Sequence, residues 1–148
     1  KTRTAGGIKD SYLSSITETK SGDIVVGYNN YYAAVASIFK ADGSTESQID
    51  GSKHYAQVIA DPNGEGYVML AQHRNGNNSY LTRYNEENNK VGESKVLAQC
   101  FNQLRVTSIN SHPKHGLVIL GTEQLGSSSN TQTVFFNVTE NFNYLCPE

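Results

Sequence analysis

The chain writes one short stretch three times, and this repetition constrains its fold more than any other feature. Gly22-Asp23-Ile24-Val25-Val26-Gly27 returns as Gly66-Tyr67-Val68-Met69-Leu70-Ala71 and again as Gly116-Leu117-Val118-Ile119-Leu120-Gly121. Each copy is a turn glycine followed by an apolar run of strand length. Counted from the glycines at 22, 66 and 116, the copies lie 44 and 50 residues apart. An isoleucine precedes each glycine by six or seven residues: Ile16, Ile59 and Ile109. Turn formers fill the interval, Lys20-Ser21, Asp61-Pro62-Asn63-Gly64-Glu65 and Ser111-His112-Pro113-Lys114-His115. Strand, tight turn, strand is the reading.

Beyond the core strand each copy continues with a polar loop and an alternating segment: Val35, Ser37 and Phe39, then Tyr80, Thr82 and Tyr84, then Val134, Phe136 and Val138. Period-two spacing of β-branched and aromatic residues predicts a half-buried antiparallel strand. A second turn follows at 41–44, 86–89 and 140–141. A fourth, weaker strand is expected at 46–50 and 93–97, with a third counterpart at 143–146. No window carries a 3.6-residue apolar period, so almost no helix is expected. The result is one all-β domain over 1–148, with repeats at about 11–50, 54–97 and 104–146. Three four-stranded antiparallel units of this length read as blades of a β-propeller, since a sheet with two apolar faces must stack on a neighbour.

The run from Ser14-Ser15-Ile16 through Gly22-Asp23-Ile24-Val25-Val26-Gly27 to Ala36-Ser37-Ile38-Phe39-Lys40-Ala41-Asp42-Gly43-Ser44 resembles one repeat of the secreted, mostly microbial β-propeller families. The second copy departs from that pattern with Ala71 for the closing glycine and Glu87-Asn88 for Asp-Gly. The third departs further, with Glu140-Asn141-Phe142. The resemblance implies propeller architecture and carries over no catalytic residue. Closed propellers have four or more blades, so three would leave two faces open. A homodimer closing a six-bladed ring, a head-to-tail fibre, or a longer propeller of which this chain is a fragment would each cover them. The rival fold is a β-trefoil, which also holds three four-stranded repeats in this length and closes on itself. The propeller is preferred because an apolar second strand ending in a small residue suits a blade interior.

A net charge of −2 argues against a nucleic-acid binder, which needs clustered Lys and Arg. No apolar run approaches the length of a membrane-spanning helix. Nine tyrosines, no tryptophan and abundant Asn, Ser and Gly point to a secreted β protein, so the expected location is extracellular. The chain starts at Lys1 without an initiator methionine or signal sequence and reads as a processed chain or a piece of one. Asn77 and Asn137 head sequons, Asn77 in a loop and Asn137 outward on a strand. Cys100 and Cys146 stand 46 residues apart (100 to 146), each at the end of a fourth strand. In a secreted chain they suggest a disulfide. An internal bridge needs the C-terminal tail to turn back across the previous repeat. A bond between subunits and free thiols are the alternatives.

Candidate chemistry is sparse. Asp61, Asn63 and Glu65 alternate as in a calcium loop but lack its closing bidentate carboxylate, and Asp-Pro-Asn-Gly is a strong turn sequence. His112 and His115 have zinc-ligand spacing without partners and read as solvated turn residues. No nucleophile elbow, zinc-protease helix or phosphate loop appears, and nothing near Cys100 activates it. The expectation is therefore no enzyme and no cofactor. The distinctive polar stretches are the loops after the core strands. Tyr28, Asn29, Tyr31, Tyr32, His73, Arg74 and Asn75 are the candidate binding residues, on the rim where tyrosine rings and amides suit a glycan or a protein surface. Because the three loops differ, they do not make a multivalent lectin. Two functions follow as expectations: a binding module recognising glycan or protein through this rim, or a structural or adhesive subunit that self-associates through its open faces.

Overall fold

A computed structural model describes residues 12–29, 33–50, 53–73, 78–97, 104–114, 116–125, 130–139 and 141–143. They form eleven strands and, among the described residues, no helix: β1 (Tyr12–Glu18), β2 (Ile24–Asn29), β3 (Ala34–Phe39), β4 (Thr45–Asp50), β5 (Lys53–Ala60), β6 (Tyr67–His73), β7 (Ser79–Tyr84), β8 (Lys90–Val96), β9 (Leu104–His112), β10 (Gly116–Gln124) and β11 (Thr131–Val138). Each strand pairs antiparallel with its neighbour in sequence. The result is three meanders: β1-β2-β3-β4, β5-β6-β7-β8 and β9-β10-β11. The third counterpart of the fourth strand, expected at 143–146, falls almost wholly outside the described residues. No sheet closes into a barrel among them, which is the closure the β-trefoil alternative requires.

The expected second turns are one structure made three times. The N–H groups of Lys40, Asn85 and Thr139 donate to the carbonyls of Ser44, Asn89 and Asn143, while those of Gly43, Asn88 and Phe142 donate back to Lys40, Asn85 and Thr139. The fourth residue of each turn is left-handed: Gly43 at φ 91°, Asn88 at φ 63° and Phe142 at φ 60°. Glycine takes this conformation freely and asparagine nearly so, whereas phenylalanine does so at a steric cost.

These turns fix the alignment of the repeats and correct the one drawn from the glycines. Phe39, Tyr84 and Val138 each precede the turn, and they pair with Ile24, Tyr67 and Leu117. The equivalent of Gly66 and Gly116 is therefore Asp23, and the first copy is offset by one residue from its apparent match. The two glycines have different tasks. Gly22 is there for its positive φ of 86°. Gly66 is there for space, because a Cβ would collide with the Tyr84 carbonyl oxygen.

With the offset applied, the stacking is uniform. Val25, Ala34, Ala36 and Ile38 on one face of the first sheet pack against Ala56, Val58, Tyr67, Met69, Ala71 and Tyr84 of the second. Val68, Leu70, Leu81 and Leu97 on the opposite face of the second pack against the third sheet, including Leu104, Val106, Ile109, Leu117, Ile119 and Phe136. The middle sheet is thus buried on both faces, which is why Tyr67 to Ala71 reads as an unbroken apolar run. β3 departs from the expected half-burial: Ala34 to Ile38 are all buried.

Candidate functional site

Edge strands leave backbone N–H groups without ladder partners, and buried ones must be satisfied otherwise. Here side chains of the preceding sheet supply the acceptors. Val58 N–H on β5 donates to Ser15 Oγ on β1 at 2.7 Å. Ile109 N–H on β9 donates to Gln57 Oε1 on β5 at 3.0 Å. The register makes these the same bond: Ser15, Gln57 and Ser108 pair with Gly27, Leu70 and Leu120, and Ile16, Val58 and Ile109 pair with Val26, Met69 and Ile119. Asn29 Oδ1 and Thr17 Oγ1 accept from the N–H groups of Ala56 and Ala60 in the first seam. In the second seam Tyr55 Oη and Gln57 Nε2 donate to the Thr107 carbonyl. Gly27 lets β5 approach, since a Cβ there would lie 3.2 Å from both the Ala56 carbonyl oxygen and the Val58 nitrogen, and 2.8 Å from Ser15 Oγ.

The turns add a second line of contact. Gln48 Nε2 on β4 donates to the Asn88 carbonyl at 2.6 Å, and Tyr67 Oη donates to Asn88 Oδ1 at 2.6 Å. Burial, then the neighbouring Tyr84 and Glu46, push the Tyr67 hydroxyl far above its usual pKa. In the next seam the Arg83 guanidinium lies 4.7 Å from the centre of the Phe142 ring and pairs with the buried Asp61 carboxylate.

The outermost faces have no sheet against them among the described residues, and most equivalent positions register the difference, whereas Val35 and Ser37 on the outer face of the first sheet are buried. Ile16 is 65 % exposed, whereas Val58 and Ile109 at the same place are 1 % and 4 % exposed. On the far face Phe135 is 65 % exposed, where its equivalents Ala36 and Leu81 are fully buried. Leu120 is 41 % exposed where Leu70 is fully buried. Ile24 and Val26 are half-buried, against full or nearly full burial of Tyr67, Met69, Leu117 and Ile119.

Of the rim residues drawn from the sequence, Tyr28 and Asn29 are described. Tyr28 Oη lies 3.3 Å from Ser37 Oγ, and Asn29 is spent on the first seam. Tyr31, Tyr32, Arg74 and Asn75 lie outside the described residues, as do the side chain of His73, Asn77, Cys100 and Cys146. Asn137 is exposed on β11, on the open face, where Ile38 and Arg83 stand in the other sheets. Asp61 is held by Arg83 and by the Asn63 N–H at 3.0 Å, so the 61–65 segment is a closed turn. It borders a cleft of about 370 Å³ whose other wall runs from Arg83 to Glu87. No group of three or more metal-ligating side chains occurs among the described residues. His112 Nδ1 accepts from Lys114 N–H in an exposed turn. The seam residues escaped the sequence reading, although serine, threonine and glutamine inside otherwise apolar edge strands were a signal for them. Among the described residues no helix is long and apolar enough to cross a membrane. No family model, curated protein or solved structure matches the chain.

Proposed function

We propose that the chain is a non-enzymatic, extracellular, propeller-like module of three blades that works by association through its two open faces. The observation that carries this is the contrast at equivalent positions. Side chains buried inside the stack recur as exposed Ile16, Leu120 and Phe135 at its ends. Apolar groups of this size each favour burial by about 1.5–3 kcal/mol, and here Leu120 and Phe135 lie side by side on one end face and Ile16 on the other. The propeller resemblance adds that blades left open at both ends are incomplete. Light scattering across a dilution series tests the reading. An assembly that forms on concentration is expected, and a single-chain mass at every concentration overturns it.

Recognition of a glycan or protein at the rim is the second reading. It is supported by the register, which brings the loops after β2, β6 and β10 out at equivalent ends of the three sheets. Replacing Tyr31 and Tyr32 by alanine would abolish capture on a glycan array without loss of folding; retained capture counts against it.

A further inference from the structure

We infer that the occupant of each open face is a second copy of this chain, seated in the register that the sheets use among themselves, so that two copies close a ring of six sheets. The inference rests on the open faces being association surfaces, and it names what they hold.

The internal seams supply the template. Every contact inside the stack joins the Val25-type face of one sheet to the Tyr67-type face of the next. The third sheet still presents the first kind of face, with Val118, Leu120 and Phe135. The first sheet still presents the second kind, with Ile24, Val26 and Ile16. The two faces are therefore complementary by construction, and neither is complementary to itself. Such a heterologous contact either closes a ring or runs on as a filament. Propellers close with about four to eight blades, and three sheets per copy meet that range only at six.

The polar seam extends in the same way. Ser15 accepts from Val58 N–H, and Gln57, its equivalent, accepts from Ile109 N–H. The next member of the series is Ser108, whose partner would be the N–H equivalent to those of Val58 and Ile109, that of Ile16 in the second copy. Ile16 would become buried as Val58 and Ile109 are, and Phe135 would cover the Ile24 side of the new seam.

A mixing experiment tests this. Ile16→Asp and Phe135→Asp each alter an exposed side chain, so both variants fold, which circular dichroism checks. Each alone should halve the native mass by light scattering. Mixed together they should return to the two-chain mass, because the pair retains one unaltered seam. Hydrogen exchange at the Ile16 amide should slow at least tenfold in the native dimer relative to the Phe135→Asp monomer. A dimer that survives either single substitution, or one in which the Ile16 amide exchanges as fast as in the monomer, overturns the proposed register while leaving association intact. Unlimited polymers would overturn the ring. A single-chain mass with a protected Ile16 amide would make the occupant another part of the same chain, and overturns both.

Discussion

Ser15 and Gln57 do one task with different chemistry, and the difference sets what each substitution does. Both accept a buried backbone N–H of the next sheet. Removing such an acceptor leaves the donor desolvated, a loss of about 1–3 kcal/mol. Ser15→Ala should lose that much in urea unfolding, because the Val58 N–H that it serves belongs to a buried residue. Gln57→Ala should lose at least as much, since its amide also donates to the Thr107 carbonyl and Tyr55 Oη. A Ser15→Ala loss below about 0.5 kcal/mol would mean that a water replaces the hydroxyl. Asn29 belongs with them. In the sequence it looked like a rim ligand because it ends a core strand beside tyrosines; folded, its carbonyl oxygen serves Ala56 N–H. Nothing local distinguishes an asparagine facing solvent from one facing the next sheet, since that depends on which strand lies opposite. Tyr67 gives a pH test at this scale. Burial raises its pKa above the usual value near 10, so the folded state holds its proton where the unfolded chain releases it. Its contribution to stability is complete below about pH 10 and falls as pH rises beyond that. Urea unfolding between about pH 9 and pH 11 should show this decline, with a shallower slope in Tyr67→Phe. Equal slopes would exclude Tyr67 as the titrating group.

At the scale of elements, the turn after the third strand shows why a repeat can be legible while its register is not. Apolar alternation and turn residues placed the eleven strands, because strands and turns are local, but not their ends: β5 and β9 both start well before their Ile59 and Ile109 landmarks, β8 starts at Lys90 rather than at 93, and β10 runs on to Gln124. The phase between copies follows from the five-residue turn that Gly43, Asn88 and Phe142 close in left-handed conformations. Only the first has the Asp-Gly signature, yet the sequence already matches Glu87-Asn88 and Glu140-Asn141-Phe142 to it; what misled was Gly22, a turn glycine one residue before the position that Gly66 and Gly116 occupy. Phe142 is the informative case. Phenylalanine at a left-handed position costs about 1–2 kcal/mol, which glycine would relieve. Its ring, however, is buried between the second and third sheets with Arg83 over its face, and truncating a buried phenylalanine typically loses about 3–5 kcal/mol. Packing should win, so Phe142→Gly is expected to destabilise by about 2 kcal/mol in chemical denaturation. An unchanged or raised midpoint would show that the ring contributes little to the seam. Phe142→Asn, which tolerates the backbone but removes the ring, should fall on the same side.

For the whole molecule, the outward position of Asn137 was readable from the alternation of β11, but its consequence was not. That consequence needs the alignment of all three sheets, which places Asn137 where Ile38 and Arg83 stand. Ile38 is fully buried against the second sheet, so the Asn137 face in any further seam has room for a side chain but not for a glycan. Sequon use and association are therefore alternatives on one surface. Produced in a secreting eukaryotic host, chains whose Asn137 carries a glycan by mass spectrometry should remain single. Enzymatic removal of the glycan, or Asn137→Gln, should restore the two-chain mass. A glycan at Asn77 should leave that mass unchanged apart from its own contribution, because no seam residue identified above lies in its loop. The informative reversal is a dimer with every Asn137 occupied. It would show that the third sheet's outer face is not the contact, and would move the search for the partner surface to Ile16, Ile24 and Val26 at the other end of the stack.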